Sequence, residues 1–307
     1  MKKVLSLILA VVICLGSCLM LSSCGNSADY TIGICQLMKH ESLDKATQGF
    51  MDALTEAMEE AGKTVDFDTQ VAGETNYCAT VVNTFVSKKV DLIMANATPS
   101  LLAAANASAT IPVLGTSVTD YSDTFGGNIP ENVSGTSDAV PFDQQAQMMI
   151  DTLGLKEGDQ VGVVYCLNES NSAIQYEAVK KYFEEKKVTV KAYTFSDTTE
   201  IQTVVTSAAN DSKAIYVPSD NTVADNDNIL ATVCGDKVPV YTSYGGSVCY
   251  ASLAIDYYEL GVETGKMAAE ILLNGKTPAD FEVKTLTPST VFNKDLCDKL
   301  GITVEEK

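Results

Sequence analysis

The sequence predicts an α/β protein of two Rossmann-like lobes, each with a parallel sheet, joined by a three-strand hinge. Three observations predict it. Short β-branched runs alternate with amphipathic helices along the chain, the pattern of a parallel sheet covered on both faces. The order of elements in the first half returns in the second. Three matched pairs also keep nearly one spacing. Ile32-Gly33-Ile34 returns as Val161-Gly162-Val163, 129 residues on; Leu92-Ile93-Met94-Ala95 as Ala214-Ile215-Tyr216-Val217, 122 on; and Ile111-Pro112-Val113 as Val238-Pro239-Val240, 127 on.

The elements come in order. Lys2 and Lys3 precede an apolar run of 13 residues, Val4 to Gly16, which suits a signal peptide and falls short of the roughly 20 residues of a membrane span. Leu21-Ser22-Ser23-Cys24-Gly25 fits a bacterial lipobox, so residues 1–23 read as a cleaved leader, Cys24 as the lipidated residue and 24–29 as a tether. The exported chain is then held at the outer face of the cell membrane by lipid on Cys24. Tyr30 to Gln36 reads as a strand. His40 to Ala61 reads as a helix, because Leu43, Ala46, Phe50, Leu54, Ala57, Met58 and Ala61 recur at three- and four-residue steps. Thr64–Gln70, Val90–Ala95 and Ile111–Gly115 continue as strands, with helices over Tyr77–Lys88 and Leu101–Ser108 between them.

The second half gives strands at Gln160–Tyr165, Val188–Phe195, Ala214–Val217 and Val238–Thr242, separated by helices at Ser172–Glu185, Ile201–Ala209 and Ala224–Cys234. The first crossing between lobes is expected near Gly135 to Asp138. The strand Ala251 to Asp256 reads as one too many for the second lobe, so with the helix Tyr257–Leu273 it is assigned to the first. A third crossing is expected within Glu282–Phe292. Lobe one is then 30–136 plus 251–283, and lobe two 137–250 plus 284–307. Three crossings make a hinge suited to closure around a ligand.

Composition narrows the chemistry. The formal charge of −19 becomes −21 once Lys2 and Lys3 leave with the leader, which argues against nucleic acid as a partner. There is no arginine and no tryptophan, and His40 is the one histidine. A nucleophilic triad lacks a base, a zinc site lacks closely spaced ligands, and neither a metal nor a cofactor is expected. Gly261-Val262-Glu263-Thr264-Gly265-Lys266-Met267 has a superficial P-loop look, but its spacing is one residue short and it falls inside a helical pattern. The six cysteines beyond Cys24 show no CxxC pair and are read mostly as buried thiols.

In open parallel sheets, ligands sit beyond the carboxyl ends of the strands. Gln36 ends the first strand, and Glu169, Asn171 and Ser172 come after its partner in the second half. Thr98 and Ser117 come after the third and fourth strands, matched by Asp220 with Asn221 and by Tyr244; Asp256 ends the extra strand. Some of these could simply be helix caps. Taken as a site, helix N-termini with Thr98, Ser117 or Ser172 suit a carboxylate. Asp220, with Glu169 and Asp256 in reserve, suits an ammonium. Together they suit an amino acid. An aromatic ring burying roughly 200 Å² would contribute about 5 kcal/mol, against the ~8 kcal/mol of a micromolar complex. Polar contacts must supply the rest.

Several of these stretches resemble one family. Ile32 to Gln36 with His40-Glu41-Ser42-Leu43-Asp44 and Gln48-Gly49-Phe50 is similar to the opening of the tryptophan/tyrosine-type ABC transporter substrate-binding lipoproteins. So are Val90 to Ile93 with Ala97-Thr98-Pro99, Glu169 to Ser172, Asp220-Asn221-Thr222, and Asp256 to Gly261. The resemblance implies a type I periplasmic-binding-protein fold, an aromatic amino acid as ligand, an ABC permease as partner and a monomer that catalyses nothing. It implies Thr98, Ser117, Asn171, Ser172, Asp220 and Asn221 at the ligand's polar end. Ser170 and Ser219 depart from the usual proline and threonine. A sugar- or nucleoside-binding protein of the same fold, a surface adhesin or sensor lipoprotein, and an exported hydrolase are the alternative readings.

Overall fold

In a computed structural model of the protein, which describes residues 28–304, two six-stranded sheets repeat one strand order. The leader, the lipobox with Cys24 and most of the tether lie outside the described residues. The first sheet takes β1 (Tyr30–Gln36), β2 (Val65–Val71), β3 (Leu92–Asn96), β4 (Val113–Val118) and β5 (Val133–Ser137). Its helices are α1 (Glu41–Glu60), α2 (Cys78–Lys88), α3 (Thr98–Ala107) and the short α4 (Tyr121–Thr124). The chain then crosses to α5 (Phe142–Leu153) and β6 (Gln160–Cys166), α6 (Ser170–Glu185), β7 (Thr189–Phe195), α7 (Ile201–Asp211) and β8 (Ala214–Val217). Next come α8 (Asn221–Asp225), α9 (Asp227–Val233), β9 (Val240–Thr242) and β10 (Ala251–Ala254). After α10 (Tyr257–Asn274) come β11 (Lys284–Thr285), β12 (Ser289–Phe292) and α11 (Lys294–Leu300).

The sheet orders are β11-β5-β4-β3-β1-β2 and β12-β10-β9-β8-β6-β7. Pairing is parallel throughout except between β10 and β12. β1, β3 and β4 match β6, β8 and β9, the three repeats spaced 129, 122 and 127 residues apart. Helices cover both faces, which is why β3, β4 and β8 are buried at every residue and read as unbroken apolar or small runs.

Two assignments from the sequence are corrected. β10 pairs with β9 and β12, so it belongs to the second sheet and not to the first lobe. Each lobe has a fifth parallel strand, β5 or β10. The small and polar sequence of β5, Val133-Ser134-Gly135-Thr136-Ser137, conceals it as a strand, and with β5 uncounted its counterpart β10 reads as surplus. β11 is the other correction: it pairs with β5 in the first sheet, although the residues from 284 on were assigned to lobe two.

Crossings therefore fall between β5 and α5, between β10 and α10, and between β11 and β12. Each of the first two exchanges a helix. α5 packs with the second lobe, where Gln145 Nε2 donates to Leu253 O and Gln145 Oε1 accepts from the Tyr216 hydroxyl. α10 packs on α1 in the first. That contact depends on glycines: a Cβ at Gly261 would lie 2.0 Å from Ala46 O, and one at Gly49 would lie 2.1 Å from Tyr258 O. The Gly261-to-Lys266 stretch is thus the interior of a close-packed helix, with Asp256 capping its start by accepting from Tyr258 N and Glu259 N.

Candidate functional site

The carboxyl ends of the two sheets face one another across a small void. It is lined from the first lobe by His40, Leu43, Ser117, Thr119 and Asp138, from the second by Asn171, Ser219, Asp220, Asn221, Ala224 and Tyr244, and by Tyr257 at the crossing into α10. The void measures about 10 Å³, room for about one water. A larger cavity of about 570 Å³ adjoins it and shares His40, Ala224, Tyr244 and Tyr257 as walls.

Ser117 reaches the void through an irregular strand end. The register of β4 against β5 shifts between Gly115 and Val118, and Ser117 takes a left-handed φ of 55°, an uncommon conformation for a residue with a Cβ. Its Oγ is buried without a hydrogen-bond partner. Across the void, Asn171 in the first turn of α6 donates from Nδ2 to Ser219 O at 2.7 Å, leaving Oδ1 buried and unpartnered. Buried polar atoms are nearly always paired, and here two at one small void keep hydrogen-bonding capacity unused.

Asp138 sits just past the end of β5 and is buried. Its carboxylate accepts from Thr119 Oγ1 at 3.2 Å and from the Tyr257 hydroxyl at 2.9 Å. Burial pushes its pKa above the usual carboxylate range, and the two hydrogen bonds only partly oppose this. No lysine lines the void, and burial lowers the pKa of His40 despite the Asn221 contact and nearby Glu169, Asp225 and Asp44. The void thus carries acceptors and two carboxyl groups, Asp138 and Asp220, with no lysine.

Asp220, expected to face an ammonium, is also engaged within its own lobe. It is fully buried and accepts from Cys166 N, Ser172 Oγ and Val223 N at 2.7–2.9 Å. Burial first, then the Glu169 charge, raises its pKa well above the ordinary value. It borders the void, and three of the roughly four acceptor sites of its carboxylate are committed to fixing α8 beside α6. Glu169 does the same from behind, accepting from the backbone N–H and the side chains of both Asn221 and Thr222 at 2.6–2.9 Å. Since Asn221 Nδ2 points at Glu169, its Oδ1 faces His40 Nε2 at 3.2 Å, and the imidazole must carry its proton on Nε2 to donate. That bond joins the lobes, as does Gln175 Nε2 donating to Thr119 Oγ1 at 3.2 Å.

Of the residues singled out from the sequence, Ser117, Asn171, Asp220, Asn221 and Tyr244 line the void. Ser172 stands behind it on Asp220. Gln36 is spent inside its lobe, bonding Met38 O, Asp44 and Thr47. Thr98 is buried at the start of α3 and is not part of the lining, while Asp256 borders the outer cavity as a helix cap. Asp138 and Tyr257 escape a reading that looks beyond the end of each recognised strand, because β5 is not recognised and β10 is placed in the wrong sheet. Thr119 and Ser219 also line the void, beside Ser117 and Asp220, and no sequence signal sets them apart from their neighbours.

The family model for ABC transporter substrate binding proteins matches residues 31–307. A tyrosine-binding protein of Clostridioides difficile (strain R20291) is 34% identical over 330 residues, covering 98% of this chain and 93% of the relative. Among solved structures, an ABC domain in complex with L-Trp from Streptococcus pneumoniae is 32% identical, with a TM-score of 0.82 over 91% of this chain and 97% of that one. A ligand-free, open substrate-binding protein with adhesive properties from Clostridium difficile is also 32% identical, over 90% and 96%, but superposes with a TM-score of only 0.66. With two matched lobes meeting at a polar void, and similarity running through almost the whole length, this chain belongs to the ABC transporter substrate-binding protein family.

Proposed function

We propose that the protein captures an aromatic amino acid between its lobes and delivers it to an ABC permease without turning it over. The observation that carries this is the pairing of Ser117 Oγ and Asn171 Oδ1, both buried and unpartnered, with the carboxylate of Asp138 at one void. An ammonium group fits Asp138 and Asn171 Oδ1, which can only accept from it. The Ser117 hydroxyl can donate to an α-carboxylate. Leu43, Ala224, Tyr244 and Tyr257 supply the apolar and aromatic wall that a ring would stack on.

A void of about 10 Å³ cannot hold an amino acid, so ligand entry requires the lobes to part on their three crossings. The comparisons support this: at 32% identity to each, the chain superposes better on the L-Trp complex than on the ligand-free, open relative. Substrate-binding proteins of ABC transporters are extracytoplasmic, and no helix among the described residues is long and apolar enough to cross a membrane. Lipid on Cys24, with residues 25–29 as tether, would hold this chain beside its permease as a monomer.

A thermal-shift screen of amino acids, sugars and nucleosides tests the assignment. A ligand at about 100 times its Kd stabilises by about 2.7 kcal/mol, which raises Tm by about 5–10 °C in a chain of this size. Tyrosine, tryptophan or phenylalanine should give that shift. A screen in which only sugars or nucleosides do so overturns the ligand.

A further inference from the structure

We propose that Cys35 and Cys78 are the two halves of a disulfide that forms as the chain folds outside the cytoplasm. They are the two described cysteines of the first lobe; Cys166, Cys234, Cys249 and Cys297 all lie in the second. Gly33 and Cys35 are two apart on β1 and so face the same side of the sheet. α2 lies directly on that side, since a Cβ at Gly33 would come within 2.5 Å of the Phe85 ring. Cys78 precedes Phe85 by seven residues, two helical turns, which brings it over the carboxyl end of β1, where Cys35 sits.

Side-chain contacts bear out that placement. Ser100 Oγ stands 3.6 Å from each sulfur, and both cysteines belong to one buried apolar cluster. Cys78 Sγ also reaches Glu74 O at 3.9 Å, and in the second lobe Cys249 Sγ donates to Gly246 O and Cys297 Sγ to Tyr250 O.

The oxidant is a disulfide of the glutathione or thiol–disulfide oxidoreductase class. Cys78, as the thiolate, attacks it and releases one thiol of the donor. The Cys35 thiolate then displaces the mixed disulfide and releases the other. Two protons leave the cysteines, two electrons pass to the donor, and one S–S bond forms. Both sulfurs are sealed in the folded chain, so exchange precedes the docking of α2 on β1. The bond closes a span of 43 residues and ties α2, with the exposed turn before it, to the central strand of the lobe.

The test is to denature the full chain and refold it either in oxidised glutathione or in dithiothreitol. Remaining thiols are alkylated in denaturant, and peptides are mapped with fragment-ion assignment. The glutathione sample should give a Cys35–Cys78 cross-linked pair, two hydrogens lighter than the free peptides, and a Tm roughly 5–10 °C above the dithiothreitol sample. Cys35→Ala and Cys78→Ala should each abolish the dependence of Tm on reductant. Complete alkylation of both residues after refolding in oxidised glutathione overturns the proposal, as does pairing of either with another cysteine. The native-sequence map decides the matter even if a variant fails to fold.

Discussion

Ser117 Oγ and Asn171 Oδ1 come from opposite lobes, border the same small void and have no hydrogen-bond partner among the described residues. Each is held there by its own lobe, Ser117 by the shifted register of β4 and Asn171 by its bond to Ser219 O. Leaving one buried polar atom unsatisfied costs about 1–3 kcal/mol, so closure without a ligand carries a penalty that a bound polar group removes. This links the two lobes energetically through whatever occupies the gap.

The His40–Asn221 bond spans the same gap and should favour the closed form directly. His40→Ala is expected to raise the Kd for the ligand about 2- to 10-fold, the worth of one net hydrogen bond. Calorimetric titration measures that change, and small-angle scattering should show a larger radius of gyration for the ligand-free variant. An unchanged Kd and radius would mean that this contact plays no part in closure.

Asp227 gives the outer cavity a pH dependence. Burial is the main reason its carboxyl is pushed up to about 6, with the Tyr244 hydroxyl pulling the other way and Glu41 adding a smaller upward push. Between the unfolded value of 3.8 and about 6, the folded chain holds more of this proton than the unfolded chain. The group's contribution is therefore greatest below pH 4 and is lost as pH rises through 6. Urea midpoints should show Asp227→Asn gaining relative to the parent chain from pH 4 to 6.5, with a constant gap above. A gap independent of pH across that range would contradict the assignment.

The α1–α10 contact should be intolerant of even one methyl. Gly261→Ala sets a Cβ against the backbone oxygen of Ala46, which cannot swing away as a side chain could. A loss at the upper end of the 1–3 kcal/mol range for overpacking is expected, lowering Tm by about 5–10 °C. Thermal denaturation of Gly261→Ala measures the loss, and an unchanged Tm would contradict the close contact with Ala46 O.

Much of the architecture was legible because three strand pairs kept their spacing and their burial on both faces. The misplaced strand had a physical cause. β5 is small and polar, with Thr136 Oγ1 bonded to Thr116 and Thr264, and a strand stabilised by hydroxyl contacts lacks the apolar signature that marks the others. The site was legible only as far as its strands were. Ser117, Asn171, Asn221 and Tyr244 lie at the ends of recognised strands and border the void, while Asp138 lies at the end of the unrecognised one. Asp220 and Glu169 illustrate a second limit. A sequence places a carboxylate near a gap but does not reveal that backbone N–H groups have already claimed it.

The carboxylate of Asp138 is the most direct place to test the whole account. Calorimetric titration of L-tyrosine, L-tryptophan and L-phenylalanine into the parent chain should give one-to-one binding for at least one of them. Asp138→Asn should weaken it about 10- to 150-fold, the cost of losing a hydrogen bond to a charged partner. Binding of the same amino acid to Asp138→Asn with undiminished affinity would contradict the account.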